Sequence, residues 1–206
     1  WVMAKYYYAV QEGREVGIYE TWAECESQVR GYSKAQYKKF STYEEAVDFI
    51  NGGEKANKGK EISMLENNEM IAYVDGSFDK DNRYYSYGVV IFTREGKKTY
   101  SQKENYANMI DMRNVAGEIG GAMFAMEKSI AEGKEILYLY YDYMGIEKWA
   151  TGEWKTNKYG TKKYKEYYDS IKDKLKVVFT KVAAHTGDEY NEEADKLAKK
   201  ALGIKG

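Results

Sequence analysis

The sequence predicts an α/β protein in two parts: a mixed five-stranded sheet with flanking helices across residues 70–206, preceded by a small α/β unit across residues 1–50. Three observations predict it. Beyond residue 70, strand-length apolar runs alternate with helical patterns, the order of a mixed-sheet α/β domain. Residues 51–69 are polar and glycine-bearing and read as a linker, with only Ile62, Met64 and Leu65 to bury. The chain has 206 residues, 43% of them hydrophobic, enough for one or two domains of roughly 100–200 residues each.

In the small unit, Tyr6–Val10 and Val16–Tyr19 flank Glu12-Gly13-Arg14 and predict a hairpin of aromatic-rich strands. Thr21-Trp22-Ala23-Glu24 has capping-box spacing, and Trp22, Cys25 and Val29 recur at helical intervals after it. Gln36–Phe40 is a short strand candidate. A second capping box, Ser41 to Glu44, opens a helix with Tyr43, Ala46, Val47 and Ile50 on one face. A unit of this size with no disulfide is marginally stable by surface-to-volume scaling, so its aromatics are needed for packing as well as for contact.

In the large unit, Met70–Ser77 is an apolar run ending in an acid and a turn. Tyr84–Thr93 and Lys97–Lys103, joined by Arg94-Glu95-Gly96, continue it as a meander. Met112, Val115, Ile119, Ala122, Met126 and Ile130 form one helical face. Glu135–Tyr141 is a fourth strand, followed by Asp142; residues 143–171 read as helical, Lys176–Val182 as a fifth strand and Asp188–Leu202 as a closing helix.

Composition narrows the chemistry. With 32 basic and 33 acidic side chains, bulk charge does not hold a nucleic acid or an anionic membrane. No run of 18 or so apolar residues occurs and the N-terminus lacks a signal-peptide pattern, so no membrane partner and a cytoplasmic location are expected. Cys25 is the sole cysteine and His185 the sole histidine, which excludes an internal disulfide and the usual zinc sites. Metal chemistry must therefore use carboxylates. Proline is absent, where average usage of about 5% predicts roughly ten. Three apparent motifs fail: the glycines of 53–60 are misspaced for a phosphate loop, Tyr84 and Val90 break a calcium-loop pattern after Asp79, and no nucleophile elbow accompanies His185.

Four acids stand out by position. Asp75 and Asp142 follow hydrophobic strands, at the sheet edge where open α/β folds place ligands. Glu118 lies in a helix beside Gly117, Gly120 and Gly121, each costing about 1 kcal/mol relative to alanine; something must approach that helix closely. Asp195 is on the last helix with Asn191 one turn before it. Converging carboxylates resist ionising unless a cation joins them, and hard oxygen ligands select Mg²⁺ or Mn²⁺. Two such ions about 4 Å apart are a device for in-line phosphodiester cleavage. The residues alone thus point to a metal-dependent phosphoryl-transfer site with no stated substrate.

Tyr73-Val74-Asp75-Gly76-Ser77, Asn114 through Glu118, Leu139 through Asp142, and His185-Thr186-Gly187-Asp188 through Asn191 to Asp195 resemble, in order, ribonuclease H of type 1 across residues 70–203. The resemblance implies a ribonuclease H-like fold and hydrolysis of the RNA strand of RNA/DNA hybrids, leaving 5′-phosphate and 3′-hydroxyl ends. It implies that Asp75, Glu118, Asp142 and Asp195 bind two Mg²⁺ ions, with Mn²⁺ able to substitute; that His185 aids proton transfer or product release; and that Asn114 touches 2′-hydroxyls. Residues 5–50 resemble the hybrid-binding, viroplasmin-like domain that precedes many such nucleases. That implies contacts from Trp22 and Tyr37 to deoxyriboses and from Lys38 and Lys39 to phosphates, with Tyr8 alongside.

Ten lysines against five acids between Glu147 and Lys181, interleaved with Trp149 and Trp154, are similar to the segment of that family that grips the DNA strand. A solvated helix face carries the same pattern. The expected protein is monomeric, with the RNA/DNA hybrid as its partner and Asn191 among its substrate contacts. Met112-Arg113, where many members of the family have Thr before the asparagine, and Tyr143, where a small residue is common, depart from the pattern. Two other readings are a non-catalytic hybrid-binding protein and a nuclease of the same fold with another nucleic acid as substrate.

Overall fold

The computed structural model describes residues 6–50, 59–182 and 188–204. The chain divides into two compact units, with the division between residues 56 and 57. Among the described residues no helix is long and apolar enough to cross a membrane.

The small unit runs β1 (Tyr7–Glu12), β2 (Gly17–Tyr19), α1 (Trp22–Val29), β3 (Gln36–Phe40) and α2 (Tyr43–Ile50). Its sheet has the order β2-β1-β3, antiparallel throughout. The capping box at Thr21 forms as its spacing predicts, with Thr21 Oγ1 accepting from the Glu24 amide and Glu24 accepting from the Thr21 amide. The second box is displaced by one residue: Thr42 and Glu45 exchange the two bonds, while Ser41 donates its hydroxyl to the same carboxylate. Because α2 begins at Tyr43, Thr42 is the cap and Glu45 the third helical residue. Val10, Cys25 and Val29 form the core against α1.

The large unit runs β4 (Glu69–Asp79), β5 (Tyr84–Thr93), β6 (Gly96–Glu104), α3 (Asn114–Ala131), β7 (Ile136–Tyr141), α4 (Gly145–Thr151), α5 (Tyr159–Ile171), β8 (Lys176–Lys181) and α6 (Glu189–Ala201). The sheet order is β6-β5-β4-β7-β8; β4, β5 and β6 pair antiparallel, and β7 and β8 extend the sheet in parallel. The mixed five-stranded sheet expected from the sequence is thus present. Alternation along β4 sends Met70, Ala72 and Val74 into the core beneath α3, and Ile71 and Tyr73 into a second core that includes Ala194 of α6. Fully buried Leu137, Leu139 and Ile119 each contribute about 1.5–3 kcal/mol.

Three details differ from the sequence reading. β4 does not stop at Asp75 but continues to Asp79, paired with β5 along its length. Residues 143–171 form two helices, since Gly152 at φ 81° ends α4 in a left-handed cap. The end of the expected linker is packed: Leu65 is buried in the second core, and buried Glu69 opens β4 while accepting from Lys60 and the Tyr138 hydroxyl.

Candidate active site

The parallel pairing of β4 with β7 places Glu69 against Ile136 and Tyr73 against Tyr140. Asp75 lies two residues beyond the last of these pairs within β4, and Asp142 is the first residue after β7, so both acids come to the same end of the paired strands. Glu118 comes from α3, on the opposite face from Ile71 and Tyr73, and reaches the acids over Gly76. A β-carbon at Gly76 would lie 2.3 Å from the Asn114 carbonyl oxygen and 2.5 Å from the Glu118 nitrogen, and one at Gly117 would lie 2.0 Å from the Ser86 carbonyl oxygen. Only glycine at both positions lets the first turn of α3 rest on the strands. That contact brings Glu118 into hydrogen-bond range of the Gly76 amide, 3.1 Å.

Ligand atoms of Asp75, Glu118 and Asp142 all lie within 4.8 Å of one another. Burial, followed by the charges of Asp142 and Asp195, pushes the Asp75 carboxyl up to about 6, against the close Glu118 carboxyl and the hydrogen bond from the Gly76 amide, which favour ionisation. Glu118 is raised well above the usual carboxylate range by burial first, then by the charge of Asp75. Its Oε2 is buried and has no hydrogen-bond partner. A buried acceptor left unpaired costs about 1–3 kcal/mol, and a divalent cation among the three carboxylates would satisfy it while relieving the repulsion. The donor set, oxygens alone, fits Mg²⁺ or Mn²⁺.

The other expected site residues fall in different places. Asp195 is outside the three-acid group, half-exposed and ion-paired to Lys199 at 2.7 Å on its own helix, yet close enough for its charge to act on Asp75. Asn114 is exposed at the start of α3, one turn from Glu118. Asn191 has a buried, unpartnered Oδ1. His185 lies outside the described residues. Trp149 is only 9% exposed and belongs to the core, whereas Trp154, its edge-on neighbour at 5.9 Å, is 39% exposed.

Of the lysines between 147 and 181, Lys148, Lys163, Lys165 and Lys172 are committed to ion pairs. Lys155, Asn157, Lys158 and Thr161 instead line a groove of about 300 Å³ with Tyr143 and Trp149. These polar groove residues were not singled out from the sequence. A Lys-Thr-Asn-Lys run just before a helix was the available signal.

In the small unit, pairing aligns Tyr8 with Lys39 and Val10 with Tyr37. Tyr8, Trp22 and Tyr37 form a continuous aromatic set, with centroids 5.9 and 5.7 Å apart, and the Lys39 amine lies over the Tyr6 and Tyr8 rings. Trp22 and Tyr37 are 43% and 46% exposed, so they stand out of the core. Lys38 does not join them: it pairs with Ala9 and projects from the opposite face, beside Phe40.

The family model for RNase H matches residues 67–203, and that for the Ribonuclease H1 N-terminal domain matches residues 6–50. The chain belongs to the ribonuclease H family. Ribonuclease H of Saccharomyces cerevisiae is 47% identical over 64 residues, an alignment spanning 28% of this chain and 18% of that protein. Ribonuclease H1 of Homo sapiens is 26% identical over 253 residues, covering 94% of this chain and 88% of its own length. Among solved structures, LC11-RNase H1 in complex with RNA/DNA hybrid superposes with a TM-score of 0.53 at 20% identity, over 65% of this chain and 96% of that one. This ribonuclease H thus carries its acid cluster on the family's fold.

Proposed function

We propose that this ribonuclease H cleaves the RNA strand of RNA/DNA hybrids internally, with two divalent ions, and leaves 5′-phosphate and 3′-hydroxyl ends. The observation that carries the reading is the three-acid group, with Asp75 and Glu118 buried and Asp142 partly so, and an unpaired Glu118 oxygen. Family membership and the likeness to a ribonuclease H1 solved with an RNA/DNA hybrid support the substrate. Mg²⁺ is the physiological ion in this reading, with Mn²⁺ a substitute. Asp75, Glu118 and Asp142 hold the ions, and Asp195 completes the site from the rim. When bound, the ions supply an activated water and steady the leaving oxygen.

The remaining steps belong to the protein. Asn114 marks the cleaved strand by contact with 2′-hydroxyls, and the groove of Lys155, Asn157, Lys158 and Thr161 receives the sugar-phosphate backbone of the other. Asn191, in the first turn of α6, contacts the substrate, and His185 moves a proton or speeds product release. The small unit is a hybrid-binding module: Trp22, Tyr37 and Tyr8 pack on deoxyriboses while Lys39, and Lys38 around the edge of β3, meet phosphates. Trp154 adds a further aromatic contact from the large unit, with Trp149 as its support. Joining residues 1–50 to 70–206 raises the effective concentration of hybrid at the acids. We place the enzyme in the cytoplasm as a monomer.

Ion binding competes with protons at Asp75 and Glu118, because burial makes both hold a proton more tightly in the folded chain than a free carboxylate does. The contribution of Asp75 to metal-free stability is therefore fully present below the ordinary Asp value of 3.8 and is lost as pH rises through about 6. Affinity for Mg²⁺ should rise over the same window. Thermal melts from pH 4 to 8, with and without Mg²⁺, check this, and Mg²⁺ stabilisation that is independent of pH would count against the acid site. For the ends, RNA products should accept a 5′ label only after phosphatase treatment; direct labelling would refute the proposed chemistry.

A further inference from the structure

Of the three clustered acids, Asp75 lies within β4 and Glu118 within α3, but Asp142 lies on the short turn between β7 and α4. A turn offers the least resistance to displacement, and the charges of its neighbours press Asp142 outward. One restraint that opposes that pressure is next to it in sequence. Tyr141 is fully buried, and its hydroxyl donates to Glu147 Oε2 of α4 at 2.5 Å. The bond closes residues 141–147 into a loop with Asp142 near its head.

Other contacts anchor both ends of that loop. The Val182 amide donates to the Tyr141 carbonyl at 2.8 Å, and the Ile146 amide to the Tyr143 carbonyl at 3.1 Å. From α5, the buried Tyr164 hydroxyl donates to the Ile146 carbonyl at 2.7 Å. With strand and helix each fixed, the Tyr141–Glu147 hydrogen bond ties the end of β7 to α4 across the turn, beside the packing of Tyr143 on Trp149.

We propose that Tyr141 and Glu147 are positioning residues for the metal site: their hydrogen bond holds Asp142 toward Asp75 and Glu118 against mutual repulsion, touching neither ion nor substrate. The inference rests on the metal-dependent reading above and adds to it a pair outside the acid group. Groups that orient metal ligands typically change metal affinity when removed, and here they set how tightly an ion is held rather than how fast the filled site turns over.

The test is direct Mn²⁺ binding, followed by the electron paramagnetic resonance of the free ion, on the full chain. Tyr141→Phe and Glu147→Ala should each weaken binding roughly tenfold, with kcat at saturating metal within about twofold of wild type. Glu147→Gln, whose carbonyl still accepts the bond, should bind Mn²⁺ nearly as wild type does. Should Tyr141→Phe fail to fold, Glu147→Ala against Glu147→Gln carries the same comparison. Unchanged Mn²⁺ affinity in Glu147→Ala and in any folded Tyr141→Phe, whatever their melting temperatures, overturns the proposal and leaves the nuclease reading standing. A wild-type chain that binds no divalent ion overturns both.

Discussion

The acid cluster of the large unit and the aromatic face of the small unit are held by different means. Asp75, Glu118 and Asp142 are brought together by strand register, by a helix resting on glycine, and by burial that keeps water from screening their charges. Tyr8, Tyr37 and Lys39 share one face of an antiparallel sheet, with Trp22 of α1 packed beside them, and the set remains open to solvent in large part. The difference follows from what each must do. Carboxylates that hold an ion need fixed distances and low exposure, whereas rings and amines that meet a sugar-phosphate strand need access and tolerate sequence variation in the ligand.

If this contrast is right, damage to the first region should appear in turnover and damage to the second in binding. The largest effect is expected for Asp142→Asn, which removes a ligand charge: cleavage should drop by roughly a thousandfold or more, with hybrid affinity nearly unchanged in gel-shift titrations. Next comes Gly76→Ala. Its β-carbon would press on the Asn114 carbonyl at 2.3 Å, so stability should fall by about 1–3 kcal/mol as α3 is pushed from the sheet. Turnover should fall with it, and a stable, fully active variant would show that the close approach does not set the site.

In the small unit, Trp22→Ala should weaken hybrid binding by roughly tenfold, in line with about 1–3 kcal/mol per stacked ring, and leave kcat unchanged. A fall in kcat at saturating substrate would erase the division between the regions. The smallest effect separates two adjacent lysines. Lys39→Ala should weaken binding a few-fold and reduce its salt dependence, and Lys38→Ala should do less, because Lys38 leaves from the other face of β3. Equal losses from the two would mean that the strand edge matters more than the face.

The two regions also differed in how far the sequence disclosed them. Asp75 and Asp142 were legible because each ends a strongly apolar run, and Glu118 because glycines crowd its helix. Their convergence was not, since register between distant strands is set by packing and by turns rather than by either strand alone. Asp195 lies on the closing helix as the sequence indicates, and its pairing with Lys199 four residues on is a local spacing that the sequence also carries. The Lys38 and Lys39 split was also readable, from the two-residue period of a strand. The groove formed by Lys155, Asn157, Lys158 and Thr161 depends on Gly152 ending α4, a stop that the lysine-rich pattern of 143–171 concealed.

The most direct test of the central claim is one cleavage assay on the full chain with Mg²⁺, comparing equal amounts of strand-labelled RNA/DNA hybrid, duplex RNA and duplex DNA. The account predicts internal cleavage of the RNA strand of the hybrid, with its DNA strand and both homoduplexes left intact. An uncut hybrid, or cleavage of either homoduplex at a comparable rate, would contradict it.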